Sequence, residues 1–275
     1  MDIKSLLDQP HKLPTVPAVT QRLIASFSDD DVAFKQIADQ ISADPALSAK
    51  LLRLANSAYF HLSRTIGTVE DALHMLGFVM VRNLVLGNGM AAAFRNTKGM
   101  DLQQFWRYNL CSASVARWLA ARAEVNADLV FTVGLMVGIG QLQMHVAAAP
   151  EVLPLDKVKH VLDADRAALE KEILGFHNGD VAAELAQLWN FPQPIVAAMR
   201  QVPDPLQASD FSPAAACVHM GSWVARHAVQ QTTPEQWVSS FPAEVARRLG
   251  VPLAMFTEDM PPVAELTAGL DDMLS

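Results

Sequence analysis

The residues best able to do chemistry in this chain are its eight histidines: His11, His61, His74, His145, His160, His177, His219 and His227. A histidine followed directly by aspartate would offer a metal one nitrogen and one anionic oxygen from a single helical turn. None of the eight is followed by aspartate, none adjoins another histidine, and no HExxH pair is present. Each therefore reads as a surface or hydrogen-bonded core residue unless the fold brings several together. Phosphate loops of the GxxxxGKS/T type, a GxGxxG opening a helix after a strand, and a GxSxG nucleophile elbow are all missing. Gly134, Gly138 and Gly140 lie in an apolar stretch, where small residues let neighbouring helices approach. Cys111 sits among apolar residues between Trp106 and Trp118 and reads as an inert buried thiol. The run Asp29-Asp30-Asp31 reads as a solvated turn and helix cap.

The elements that must position any such residues are helical. Strand signals are scarce, whereas Ala-, Leu- and Met-rich stretches recur between Pro and Gly punctuation. Pro17 can open a helix through Val19, Leu23, Ile24 and Phe27, and Asp31 can cap one carrying Phe34, Ile37 and Ile41. Asp44-Pro45 is a strong start: the carboxylate accepts an orphan N–H, and proline at the first position needs no donor. Helices are expected from Val69 to Leu76, from Phe78 toward Phe94 with a bend at Gly87-Asn88-Gly89, and from Asp101 through Trp118. An apolar helix over about 127–147 belongs at the centre of the fold. Further helices are expected near 156–164, 165–174, 180–190, 192–201, 213–229, 242–249 and 262–274.

Composition narrows the function classes. The 275 residues carry 21 Lys+Arg against 29 Asp+Glu, a net charge of −8, which argues against a dedicated nucleic-acid binder. Apolar residues make up 51%, enough for a core and too many for a disordered chain. Two cysteines, Cys111 and Cys217, form no CxxC and no disulfide framework, which points to a reducing compartment. The longest apolar stretch, over 129–146, is interrupted by polar residues and glycines, so no membrane span is expected. The start, MDIKSLLDQPHKLP, has no cationic region followed by an apolar run; no signal peptide and a cytoplasmic location are expected.

Several motifs in order carry a resemblance. Leu13-Pro14-Thr15-Val16-Pro17 comes first, then Asp44-Pro45-Ala46-Leu47-Ser48 running on to Leu54-Ala55-Asn56-Ser57-Ala58. Ile66-Gly67-Thr68-Val69-Glu70-Asp71-Ala72-Leu73 and Leu76-Gly77 follow, then Phe105-Trp106. Glu172, Leu174-Gly175 and His177 precede a helix ending in Leu188-Trp189-Asn190-Phe191-Pro192. Together, over residues 13–205, these resemble the HDOD family, the HD-related output domain of bacterial signalling proteins. The helical pattern itself reads as all-α, with a smaller N-terminal lobe (1–97) followed by a larger one; the resemblance implies a multi-helical HD-like fold in which 98–205 is a degenerate HD-like lobe, and the poorly matched, Pro-punctuated tail (206–275) is expected as a helical extension packed on them.

In the wider HD superfamily, histidines and an aspartate hold a metal that activates water for phosphoester cleavage. Where relatives show Gly-Leu-Leu-His-Asp-Ile-Gly, this chain has Gly134-Leu135-Met136-Val137-Gly138-Ile139-Gly140. Tyr108 stands where relatives often carry histidine, and Val202-Pro203 where many have a His-His pair. Of the implied ligand set only His177 remains, placed to hydrogen-bond across the old pocket. The vestigial pocket positions are thus Tyr108, Val137, Gly138, His177 and Val202. No catalytic residue, metal or cofactor is expected. Arg53 and Asn56 are candidates for a lobe or partner interface, with closure of their own helix as the simpler role. The implied function is a non-catalytic signal-transduction module that binds other signalling proteins and neither nucleic acid nor membrane. The alternatives are a phosphohydrolase with displaced ligands and a nucleotide or small-molecule sensor in the remnant pocket.

Overall fold

The computed structural model describes residues 2–9, 12–25, 34–57 and 65–270. Among them every regular element is helical. Before residue 98 come α1 (Ile3–Leu7), α2 (Ala18–Ala25), α3 (Phe34–Ser42), α4 (Pro45–Ala55), α5 (Val69–Leu76) and α6 (Phe78–Ala93). Between residues 98 and 205 lie α7 (Leu102–Arg122), α8 (Ala127–Met136), α9 (Ile139–Ala147), α10 (Ala149–Asp156), α11 (Arg166–Leu174), α12 (Asn178–Leu188) and α13 (Gln193–Gln201). The extension adds α14 (Pro213–Gln230), α15 (Pro234–Ser239), α16 (Ala243–Leu249), a π-helical turn at Met255–Asp259 and α17 (Val263–Leu266).

Local chemistry starts these helices. Asp44 Oδ1 accepts from the Ala46 and Leu47 amides at 3.0 Å, with Pro45 at the first helical position. Asp101 caps α7 by accepting from Gln104 N at 3.0 Å, and Thr68 caps α5 by accepting from Asp71 N at 3.0 Å. Gly77 joins α5 to α6 at φ +79°, a left-handed conformation that costs glycine little, and the two helices turn by 112° there.

The core is organised around α7, which is buried along most of its length. Small residues set its spacing from both neighbours. A Cβ on Gly134 of α8 would stand 2.6 Å from the Ala113 Cα, and one on Gly221 of α14 would stand 3.0 Å from the Ala116 N. The expectation of close packing at Gly134 therefore holds. α14, although it lies in the extension, covers α7 as intimately as α8 does. It also carries Trp223, which is 2% exposed and stands edge-on to Trp237, Phe241 and Phe256 at 5.1–5.5 Å between ring centroids. A buried bond ties α8 to α6: Thr132 Oγ1 donates to Asn83 Oδ1 at 2.6 Å.

Several expectations are corrected. α6 runs unbroken through Gly87 and Gly89, because Gly89 admits Thr20 of α2 against its backbone instead of bending the helix. The central apolar helix is interrupted at Val137 and Gly138, which keep right-handed helical dihedrals. The helix expected near 156–164 lies earlier, as α10: Pro150 sits in its first turn, and turns follow from Lys157. Of the helix expected near 262–274, the described residues show Val263–Leu266 followed by turns to Leu270, and residues 271–274 lie outside them. α1 and α15 were not expected. Phe27 and the Asp29-Asp30-Asp31 cap lie outside the described residues.

A remnant pocket with a buried guanidinium

Tyr108, Val137, Gly138 and Val202 line one cavity of about 90 Å³, so four of the five vestigial positions converge. The interruption between α8 and α9 delivers Val137 and Gly138, the face of α7 delivers Tyr108, and the end of α13 delivers Val202. Val137 and Val202 are 7% and 5% exposed and supply hydrocarbon where a metal would need lone pairs. Gly138 has no room for more: Asn109 and Phe105 of α7 fill the space its side chain would take.

His177 is the exception, and the expectation that it reaches across the pocket is corrected. It is the N-cap of α12. Its Nδ1 accepts from Asp180 N at 3.1 Å while Asp180 Oδ2 accepts from His177 N at 3.1 Å, a reciprocal capping box. Asn178 lines the pocket in its place. Burial pushes the His177 imidazole below its ordinary value, with Asp180 partly opposing. The neutral ring that results is the form able to accept the cap hydrogen bond.

Arg53 is exposed in the last turn of α4. Asn56 takes the simpler role, closing α4: its Nδ2 donates to Leu52 O and Ile66 O at 2.8 Å, and its Oδ1 accepts from Ile66 N at 2.7 Å. Cys111 and Cys217 are both buried free thiols, and burial pushes Cys217 up to about 12.

The residues that sequence reasoning missed are charged. Arg166 of α11 is 1% exposed and lines the cavity. Its Nε donates to Glu170 Oε1 at 2.8 Å, its Nη1 donates to Lys159 O at 2.6 Å, and the same Nη1 stands 2.8 Å from Asp156 Oδ1. Glu170 in turn accepts from Asn178 N and Nδ2 at 2.8 and 2.9 Å, and so reaches the start of α12. Asp156 Oδ2 lies 2.9 Å from His145 Nε2. The Arg166/Glu170 spacing of four is a legible helical pair, but such pairs ordinarily face solvent. Its burial comes from α10 and α12, which no local pattern announces.

Arg166 Nη2 and both amide atoms of Gln141 have no protein partner, and both side chains border the cavity. A polar cavity of this size takes ordered water. The residues present do not fit a divalent metal. No group of three or more His, Cys, Asp or Glu side chains converges among the described residues, and a guanidinium stands in the cavity wall. The volume is also well below the ~300–1,000 Å³ of ordinary ligand sites.

The HDOD domain family model matches residues 13–205 of this chain. Among solved structures, one from Shewanella amazonensis SB2B, named "Putative phosphohydrolase", is 29% identical, has a TM-score of 0.77, and is matched over 98% of this chain and 96% of that one. An "HDOD domain protein with unknown function" from Geobacter sulfurreducens is 20% identical, with a TM-score of 0.73 over 96% and 97% of the two chains. A curated uncharacterized protein of Treponema pallidum (strain Nichols) is 25% identical over 199 residues. That match takes in 71% of this chain and 38% of the relative, so the chain spans about two fifths of the length of that protein.

Proposed function

Because this chain belongs to the HDOD domain family, with an all-α HD-like fold, we propose that it is a non-catalytic signal-transduction module acting by binding another protein. One observation carries the reading: the positions of the His-Asp pair are Val137 and Gly138, and Asn109 fills the space beside Gly138. Restoring two metal donors would require displacing a buried, hydrogen-bonded side chain.

A second reading, a phosphohydrolase with displaced ligands, is favoured by the name of the 29%-identical Shewanella protein. Elemental analysis and phosphodiesterase turnover of the purified chain with manganese or iron separate the two. The first reading expects no stoichiometric metal and no turnover, together with recovery of a defined protein partner from the native host. Metal at about one per chain with turnover above background would replace it by the second.

A further inference from the structure

A much larger groove lies on another face. It encloses about 720 Å³ between α4, the C-terminal end of α6 and the first half of α7. That volume falls in the range of small-molecule sites, roughly 300–1,000 Å³. Lys50, Arg95 and Arg107 line it, and no carboxylate does so among the described residues. This concentration of cations stands on a chain whose net charge is −8. Among the other arginines, Arg117 pairs with Asp128, Arg200 with Asp180 and Glu184, and Arg247 with Glu244, while Arg122 and Arg226 donate to backbone carbonyls. Arg95 and Arg107 are exposed and make no ion pair among the described residues. Lys50 Nζ donates to Asn88 Oδ1 at 2.8 Å, which fixes one ammonium at the α4–α6 side of the groove.

Apart from the amides of Asn88 and Gln103 the rest of the lining is apolar, and Trp106 and Leu110 are its most buried residues. Three cations around an apolar floor with two neutral amides suit one chemical class. Guanidinium and ammonium groups bind phosphate oxygens through charge-assisted hydrogen bonds, with Arg offering two parallel donors. A flat heteroaromatic ring can cover the apolar floor and exchange hydrogen bonds with the amides. We propose that this inter-lobe groove is a binding site for a nucleoside polyphosphate, its phosphates held by Lys50, Arg95 and Arg107. The site is separate from the remnant pocket and does not depend on the partner-binding reading. Because the groove is built from both lobes, occupancy would bridge α4 to α7.

Calorimetric titration of the full chain with ATP and with GTP, in EDTA, tests this, with inorganic tripolyphosphate and adenosine as half-ligands. At least one nucleotide should bind saturably, more tightly than either half-ligand and less tightly as salt rises. Arg95→Ala and Arg107→Ala should each weaken it by about 10–100-fold, the usual worth of a hydrogen bond to a charged group. Both side chains are exposed, so unchanged melting temperatures confirm that the variants fold. Tyr108→Phe in the remnant pocket should leave affinity unchanged. Absence of binding at millimolar nucleotide would overturn the proposal, as would tripolyphosphate binding as tightly as ATP or GTP. So would affinity indifferent to both arginine substitutions, or a glutamate-rich peptide binding the same arginines more tightly than either nucleotide.

Discussion

Asn109 and Gly138 compete for one position in space. A Cβ built on Gly138 would stand 2.6 Å from Asn109 Oδ1 and 2.8 Å from the Phe105 ring. Asn109 cannot swing away cheaply, because it is 1% exposed and its Nδ2 donates to Phe105 O at 3.1 Å. Gly138→Ala should therefore cost ~1–3 kcal/mol by overpacking. Val137→His/Gly138→Asp should cost more, through lost apolar burial and a desolvated carboxylate. Adding Asn109→Ala to Gly138→Ala should recover part of the loss. The checks are thermal denaturation and phosphodiesterase turnover of the double replacement with manganese or iron. A variant that melts no lower than wild type and turns over substrate would refute the account of the pocket.

Arg166 and Glu170 are charges held by each other. Arg166→Met leaves Glu170 and Asp156 facing each other's field without their guanidinium, a loss of about 3–5 kcal/mol by analogy with broken buried pairs. Glu170→Gln should be milder, because the amide oxygen can still accept from Asn178. A double-mutant cycle read by urea denaturation measures the coupling. Additive effects would show that the pair contributes little.

Stability should rise with pH across the histidine range. Burial holds His177, His219 and His227 below their ordinary value, in each case as the largest cause. In the unfolded chain they titrate near ~6.5. Between the folded values and 6.5 the unfolded state binds more protons, so stability is full above 6.5 and falls as pH drops toward the folded values. His177→Asn keeps a capping side chain but removes its titration, and should flatten the melting-temperature profile below 6.5. A profile as steep as wild type would show that His177 has no part in it.

The family match ends at residue 205, yet α14 covers α7 from outside it. A chain cut after 205 exposes the face around Ser112 and Ala116 that Gly221 approaches. It should lose cooperative unfolding and bind a hydrophobic dye. A sharp transition in the truncated chain would show that the matched region is self-sufficient.

How far these relationships could be read in the residues depended on their range. Asp44-Pro45 and Asp101 announce their helices because capping is local and needs only the next few residues. Tyr108, Val137, Gly138 and Val202 could be placed in one pocket because each replaces a recognisable motif position. His177 resembled a surviving ligand, but its capping bond to Asp180 lies in the same four residues and takes its Nδ1. The His145–Asp156 contact and the burial of Arg166 depend on how α9, α10 and α11 pack, and nothing in a window of ten residues encodes that. The interruption at 137–138 was hidden for a different reason: its dihedrals stay helical, and only the apolar pattern was visible.

Trp223 makes the extension optically legible. Its indole N–H donates to Ser240 Oγ at 3.0 Å, and its ring lies edge-on against Trp237 of α15 and Phe256 of the π-helical turn. Aromatic rings fixed at such angles couple their electronic transitions and give a near-ultraviolet dichroism that vanishes when tertiary packing loosens. The detachment of residues beyond α14 can thus be followed by circular dichroism in unlabelled protein, separately from the far-ultraviolet signal of the helices themselves.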